Sequence, residues 1–176
     1  MSSRLTLCAS VASLLILAAA CAPALDWREV RPDGGGLVAL FPCKPERLTR
    51  QLALAGATVQ MQVLACTAEG TTWGLSTADM ADPGIVGTAL AELRVSRVRN
   101  LDGAETASQA AQIAGMTPQP RAVRFSVAGR KPDGTPIADQ SVLFALGTRV
   151  FHAAALGGQP SAQTLETFFG GLKVQP

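Results

Sequence analysis

Residues 58–66, Thr-Val-Gln-Met-Gln-Val-Leu-Ala-Cys, decide the fold class, because their side chains alternate between apolar and polar. Val59, Met61 and Val63 fall on one side of an extended chain, and the two glutamines between them fall on the other. Strict alternation over this length predicts a β-strand with one buried and one solvated face. The surrounding chain is therefore expected to build an antiparallel sheet.

Further short extended segments lie on both sides of this strand and are separated by turn residues. Leu37–Phe41 follows a glycine-rich turn at 32–36, a second segment lies at about 48–53, and a third begins at 72–76. Strands joined by short turns pair with their neighbours, so these segments and 58–66 are predicted to form a four-stranded meander. Three more strand candidates follow at 122–129, 137–146 and 149–156.

Two segments have helical spacing. Asp82 is a predicted N-cap with Pro83 in the first turn, and apolar residues then recur at helical spacing to about Asn100. Ser161 is expected to cap a final helix whose apolar residues at 165–169 belong to the core.

Strands, a helix, more strands and a second helix define an α+β domain, in which helices pack on a central antiparallel sheet. Within residues 104–120, Ala107 to Ala114 fit either a helical turn or an edge strand, and Pro118 and Pro120 mark the end of this stretch as a boundary. No internal repeat and no long linker divides the chain. Residues 25–176 are therefore expected to form a single domain, which is long enough to bury a core.

Residues 1–24 have the order of a secretory signal peptide. Arg4 precedes the apolar run at 11–20, Val-Ala-Ser-Leu-Leu-Ile-Leu-Ala-Ala-Ala, and small residues follow it. The run is shorter than the about 20 apolar residues that a transmembrane helix needs. The sequence therefore predicts an exported protein of the periplasm that contacts the membrane only through this signal or a lipid anchor.

The processing site has two candidates. Residues 17–21, Leu-Ala-Ala-Ala-Cys, resemble a bacterial lipobox in which Cys21 would be acylated, although Ala18 stands where leucine is usual. Residues 22–24, Ala-Pro-Ala, match the small-residue pattern of ordinary signal cleavage. Both sites remain open at this point, and only the first would attach the mature protein to a membrane.

The mature chain keeps two cysteines, Cys43 and Cys66. In an oxidising compartment such a pair predicts a disulfide, and two buried free thiols are the alternative. The whole chain has one histidine, so the ligands of a zinc site are lacking and no metal is expected.

The net charge of +2 excludes the strongly basic surface that nucleic-acid binding requires, and it offers no polybasic membrane patch. Arg94, Arg97 and Arg99 are expected to lie on a solvated helix face. The basic residues at 121–131 are expected to be charges that protect strand edges from aggregation, and a patch for an anionic partner is the alternative.

No catalytic residue is assigned. His152 would need an orienting partner such as Asp133 or Asp139, and a nucleophile, but the sequence has no nucleophile-elbow motif. The carboxylates nearest to one another in sequence lie in the lead-in, at turns or at helix ends, where capping and solvation explain them, and no polar residue is expected inside an apolar run; these pairs are Asp26 with Glu29, Asp79 with Asp82, and Asp102 with Glu105. The glycines at 34–36 lack the phosphate-loop pattern and are expected to form a flexible turn. No enzyme activity and no cofactor are therefore expected.

Several features together resemble PsbP-like domains. They are Phe41-Pro42 at the end of a strand, a helix after a meander, a hairpin around Gly134, and the closing residues 167–174, Thr-Phe-Phe-Gly-Gly-Leu-Lys-Val. The resemblance covers about residues 36–174, and the chain is also similar to uncharacterised exported proteins of proteobacteria. It implies an α/β/α sandwich and a non-catalytic module that docks on membrane-associated partners, and it carries no functional residue to this chain.

Two functions of different classes follow as expectations. The first is a non-catalytic envelope module that binds or stabilises a protein partner. The second is a small carrier that holds an apolar ligand between sheet and helices. An enclosed cavity would favour the carrier, and an exposed binding surface would favour the partner module.

Overall fold

The computed structural model describes residues 25–175, so the predicted signal peptide and the lipidation site Cys21 lie outside the described residues. Within this range the protein is mostly β-structure, with strands in two antiparallel sheets and two α-helices. The strands are β1 (Arg28–Val30), β2 (Leu37–Phe41), β3 (Glu46–Leu54), β4 (Ala57–Ala68), β5 (Thr71–Asp79), β6 (Ala104–Ala110), β7 (Val123–Arg130), β8 (Pro136–Leu146), β9 (Arg149–Gly157) and β10 (Lys173–Val174). The helices are α1 (Val86–Asn100), preceded by a 3₁₀ turn at Pro83–Ile85, and α2 (Ala162–Gly170).

The larger sheet has seven strands in the order β3-β4-β5-β9-β8-β7-β6. Every neighbouring pair is antiparallel, and β5 and β9 join the first half of the chain to the second. The alternation at 58–66 predicted β4 correctly, since Val59 and Met61 are buried in the core while Gln60 is exposed. The ambiguous segment at 104–120 begins with the edge strand β6.

A smaller sheet of three strands, in the order β1-β2-β10, contains both ends of the described chain. The prediction that Leu37–Phe41 belongs to a four-stranded meander is therefore wrong, because β2 pairs with β1 and β10 rather than with β3. Pro42 and Pro45 lie in the connection, where proline cannot donate a ladder hydrogen bond. The chain leaves the small sheet there and enters the large one as β3.

The two faces of the seven-stranded sheet bury different cores. On the face that we call the α1 face, Val86, Ala89 and Leu90 of α1 pack on the sheet. On the opposite α2 face, α2 and the small sheet cover the strands. The α2 face holds six buried aromatic residues: Phe41, Trp73, Phe144, Phe151, Phe168 and Phe169.

Aromatic contacts organise the α2 face. Phe168 contacts Phe41, Trp73 and Phe169 edge to face, with ring centroids 5.6, 4.9 and 5.1 Å away. Trp27 rests on Trp73 at 6.5 Å. Edge-to-face contacts at these distances stabilise beyond the burial of area alone. The expectation that the last helix belongs to the core is thus confirmed.

A disulfide joins Cys43, in the connection after β2, to Cys66 on β4, with the Cα atoms 6.0 Å apart. Both cysteines pack against the core of the α2 face. The bridge therefore ties the small sheet to the large one. A disulfide is typical of proteins in oxidising, exported compartments. Among residues 25–175, neither helix is long and apolar enough to cross a bilayer.

Candidate functional site

The residues singled out by sequence meet in a polar cluster beneath α1. His152 on β9 lies diagonally across from Ser141 on β8, because Leu143 is the register partner of His152. Asp139 lies two residues before Ser141, on the same face of β8, and Arg97 reaches down from the last turn of α1. Asp139 and Ser141 are both completely buried.

The hydrogen bonds define which atom holds each proton. The Ser141 hydroxyl donates to Asp139 Oδ2 at 2.7 Å, and the same Oγ lies 2.9 Å from His152 Nε2. The Ser141 hydroxyl has one proton, and an ionised carboxylate has none, so this proton forms the hydrogen bond to Asp139. In its other hydrogen bond Ser141 Oγ can then only accept, so His152 Nε2–H donates to Ser141 Oγ. Arg97 donates to the other oxygen of Asp139.

This arrangement differs from a catalytic triad in its polarity. In a triad the serine donates its proton to histidine, and the carboxylate orients the histidine. Here the serine hydroxyl donates to the carboxylate, so in this arrangement its proton points toward Asp139 and not toward the imidazole. Burial, reinforced by the charge of Arg97 and opposed by that of Asp139, lowers the pKa of His152 to about 4. The imidazole is neutral at neutral pH, which suits a buried structural donor.

Two sequence expectations are wrong at this cluster. Arg97 does not lie on a solvated helix face, since it forms an ion pair with the buried Asp139, whereas Arg94 is partly exposed and paired with Glu105, and Arg99 is exposed as expected. The expectation that no polar residue lies inside an apolar run also fails, because Asp139 is fully buried on β8. This residue lies in the middle of a strand, on the same face as Leu143 and Ala145. Its even spacing from these two apolar residues in the sequence already indicated a buried position.

Asp133, the other predicted partner of His152, belongs to the hairpin turn between β7 and β8. It is exposed and accepts a hydrogen bond from the Thr135 backbone N–H at 2.9 Å, which holds the pKa of Asp133 below its usual value. It is therefore a turn residue and not a member of the cluster. Across residues 25–175, no group of three His, Cys, Asp or Glu side chains has the arrangement of a metal site.

An open cleft lies at the other end of the sheet, on the α2 face beside the edge strand β6. We call it the edge cleft; it has a volume of about 410 Å³. Its floor includes Val142, Phe169 and Ile113, and its rim carries Arg124 and Glu166. The Arg124 guanidinium stacks over Phe169 with 4.8 Å between Cζ and the ring centroid, and it forms an ion pair with Glu166 at 2.7 Å.

Among residues 25–175, no strand pairs with the outer edge of β6, since the seven-strand order ends with it. A bulge between Glu105 and Ala107 interrupts its first half, and regular pairing with β7 then runs from Ala107 to Ala110. Gln109 on this regular part also lines the edge cleft. The sequence did not reveal this site, because it forms only when residues far apart in the chain, on β6, β7 and α2, come together.

Comparison with known proteins adds little to this geometry. No family model matches the chain, and no curated protein matches it. One crystal structure that resembles the fold, at 1.50 Å resolution, comes from Bacteroides thetaiotaomicron VPI-5482, with a TM-score of 0.34 and 12% identity. The match covers 86% of this chain and 42% of that one, so this chain spans less than half of the other protein.

Proposed function

We propose that this protein is an exported, non-catalytic module of the PsbP-like type that binds a protein partner in the bacterial envelope. The disulfide supports export to an oxidising compartment such as the periplasm, and Cys21 would supply a lipid anchor if it is acylated. The PsbP-like architecture is supported by helices on both faces of the large sheet. The triad-like cluster supports a non-catalytic role, because its serine is buried and hydrogen-bonded to the carboxylate.

One observation carries the binding proposal: the two edges of the large sheet are protected unequally. The β3 edge carries Glu46, Arg47 and Arg50, and charged edges resist pairing with other chains. The β6 edge carries only Glu105, which is already paired with Arg94. The regular part of β6 is therefore free to accept another strand.

The partner that fits is an extended polypeptide segment. Its backbone would pair with Ala107–Ala110, and strand addition of this kind supplies affinity through main-chain hydrogen bonds. One of its side chains would enter the edge cleft beside the Arg124–Glu166 ion pair, against Val142 and Ile113. The apolar floor and charged rim of the cleft suit an amphipathic side chain better than a purely apolar one. A carrier of apolar ligands requires an enclosed apolar cavity, and the clefts found within residues 25–175 are open and partly polar.

A photo-crosslinking amino acid at Ser108 tests the proposal, with the same group at Gln51 on the β3 edge as the matched control. We expect an adduct from Ser108, formed in intact cells, that Gln51 does not give. The pair of substitutions Ala107→Lys and Gln109→Lys should abolish the adduct, while Gln51→Lys with Ala53→Lys should leave it. Equal adducts from both edges, or an adduct that survives the β6 lysines, would contradict strand addition.

A further inference from the structure

A second cleft on the α2 face has a different chemistry. It lies beyond the small sheet, over β3, β4, β5 and β9, and has a volume of about 230 Å³. We call it the polar cleft. Strand register aligns its side chains in two rows: Thr49, Gln62 and Thr77 in the first, and Gln60, Asp79 and Arg149 in the second.

The glycine-rich turn before β2 forms one wall of the polar cleft and holds Arg149. The Arg149 guanidinium donates to the carbonyls of Asp33 and Gly35 at 3.4 and 3.0 Å. Gly34 has a φ of +84°, and a Cβ there would stand 2.3 Å from a guanidinium nitrogen of Arg149. The turn expected to be merely flexible is thus shaped to seat this side chain, and a seated side chain is pre-organised for binding.

The same turn is fastened to the sheet by Asp33. Its backbone N–H donates to Gln62 Oε1 at 2.9 Å, and its carboxylate accepts hydrogen bonds from Gln62 and from Arg47. These contacts fix the wall at the position where it faces Thr77. The cleft is therefore built by several independent contacts rather than by a single loose loop.

One group in the polar cleft lacks a partner in the protein. Thr77 is 6% exposed, and its hydroxyl is buried without a hydrogen bond. An unsatisfied buried polar group costs about 1–3 kcal/mol, so such a group in a native fold calls for an explanation. Thr77 lines the cleft, so rotation of its side chain about χ1 would turn the covered hydroxyl toward a bound ligand, which would supply the missing partner.

The charges in the cleft indicate what kind of ligand fits. Asp33 pairs with Arg47 at 3.1 Å, and Asp79 is the register neighbour of Arg149, so each charge has an opposite charge beside it. A charged ligand would find no unmatched counter-charge. The remaining side chains are amides and hydroxyls, which together offer both donors and acceptors.

We propose that the polar cleft binds a neutral polyhydroxylated ligand, a sugar ring. Sugar hydroxyls both donate and accept, as Thr77, Thr49 and Gln60 do, and adjacent hydroxyls fit the neighbouring carboxylate of Asp79 and guanidinium of Arg149. No aromatic ring lines the cleft, so binding relies on hydrogen bonds alone and the dissociation constant is expected in the millimolar range. This site is independent of the edge cleft.

Nuclear magnetic resonance tests the proposal with the isotopically labelled mature protein, which retains the disulfide. The probes are glucose, galactose and N-acetylglucosamine, with glycine and sulfate as zwitterion and anion. We expect at least one sugar to shift the side-chain amide signals of Gln60 and Gln62 saturably. Thr77→Val, which removes the hydroxyl but keeps the shape of the side chain, should raise the dissociation constant of that sugar about threefold to tenfold.

Two further variants keep the result decisive. Thr67→Val, at an exposed threonine outside the polar cleft, should bind like the parent. Gln60 lies on the exposed rim of the cleft, so Gln60→Leu does not disturb the core. This variant should also raise the dissociation constant of the sugar. The proposal is overturned if no sugar shifts these amides, if glycine or sulfate binds more tightly than every sugar, or if neither Thr77→Val nor Gln60→Leu weakens binding.

Discussion

The two faces of the seven-stranded sheet are stabilised by different means. The α2 face is covered by aromatic rings in edge-to-face contact and carries the disulfide, and the edge cleft and the polar cleft open at its margins. The α1 face mixes a mainly aliphatic core with ion pairs and the polar cluster of Asp139, Ser141 and the partly buried His152. The difference teaches that a histidine near a serine and an aspartate can serve to hold a helix on a sheet. The two clefts suited to binding lie on the other face of the sheet.

The largest effect is expected from the aromatic centre of the α2 face. Phe168→Ala should lower the free energy of unfolding by about 3–5 kcal/mol, because the residue is fully buried and touches three other rings. Urea unfolding measures this. Leu48→Ala, at a leucine that is 51% exposed, is the control and should change stability by less than about 0.5 kcal/mol. Equal stability of the two variants would show that α2 is peripheral.

The disulfide should rank next. Cys43→Ala with Cys66→Ala opens a bridge that spans 23 residues and should cost about 3 kcal/mol in the chain-entropy model. The same loss is expected when the parent is unfolded under reducing conditions, and reduction should not affect the double variant. If the double variant unfolds at the same urea concentration as the oxidised parent, the bridge does not stabilise the fold.

The polar cluster of the α1 face should appear as a pH dependence. The pKa of His152 is about 4 in the folded protein, below the 6.5 of an unperturbed histidine, so the unfolded chain binds the proton first as the pH falls. Stability due to His152 is complete above pH 6.5 and is lost between pH 6.5 and 4, by up to about 3 kcal/mol.

His152→Gln provides the comparison, because the glutamine amide nitrogen reaches about as far as Nε2 and does not titrate. The variant should lose most of the slope between pH 6.5 and 4 while keeping a donor for Ser141. Unfolding curves of parent and variant across this range measure the difference. Parallel slopes for the two proteins would mean that His152 is protonated as easily in the folded state as in the unfolded one.

The smallest effect is expected where the α1 face meets solvent. Arg94 donates to both oxygens of Glu105, and hydrogen bonding from Arg94 keeps the pKa of Glu105 below its usual value. Both side chains are partly exposed, so Glu105→Gln should cost only about 0.2–1 kcal/mol. Added salt should shrink this difference. A loss several times larger would show that the pair is effectively buried.

Local pattern was sufficient to predict most individual elements but not how they assemble. The alternation in β4 and the Asp82 and Ser161 caps are local signals, and the structure has the corresponding strand and helix starts. The strand β1 was missed because Arg28–Val30 is short and polar, and it forms only through pairing with β2. Nothing in the local pattern of β2 indicates that its second partner is β10.

The candidate sites were less predictable for the same reason. The partner of Arg97 lies 42 residues away on β8, and the carbonyls that seat Arg149 lie 114 and 116 residues away. Charges and glycines whose partners are so distant look like ordinary surface and turn residues in the sequence. Asp139 and Ser141 differ, because the sequence did carry a local signal for their burial. On the predicted strand they alternate in step with Leu143 and Ala145, which are buried positions of β8.

The small sheet also bears on the order in which the protein folds. Val38 on β2 pairs with Lys173 on β10, so a strand near the start of the described chain acquires its second neighbour only when the final residues arrive. Contacts of such long sequence separation form late, because closing the loop between them costs entropy first. A chain that emerges from a membrane channel with its N-terminus leading would therefore keep β2 half-paired until β10 has emerged, and the small sheet would close only then.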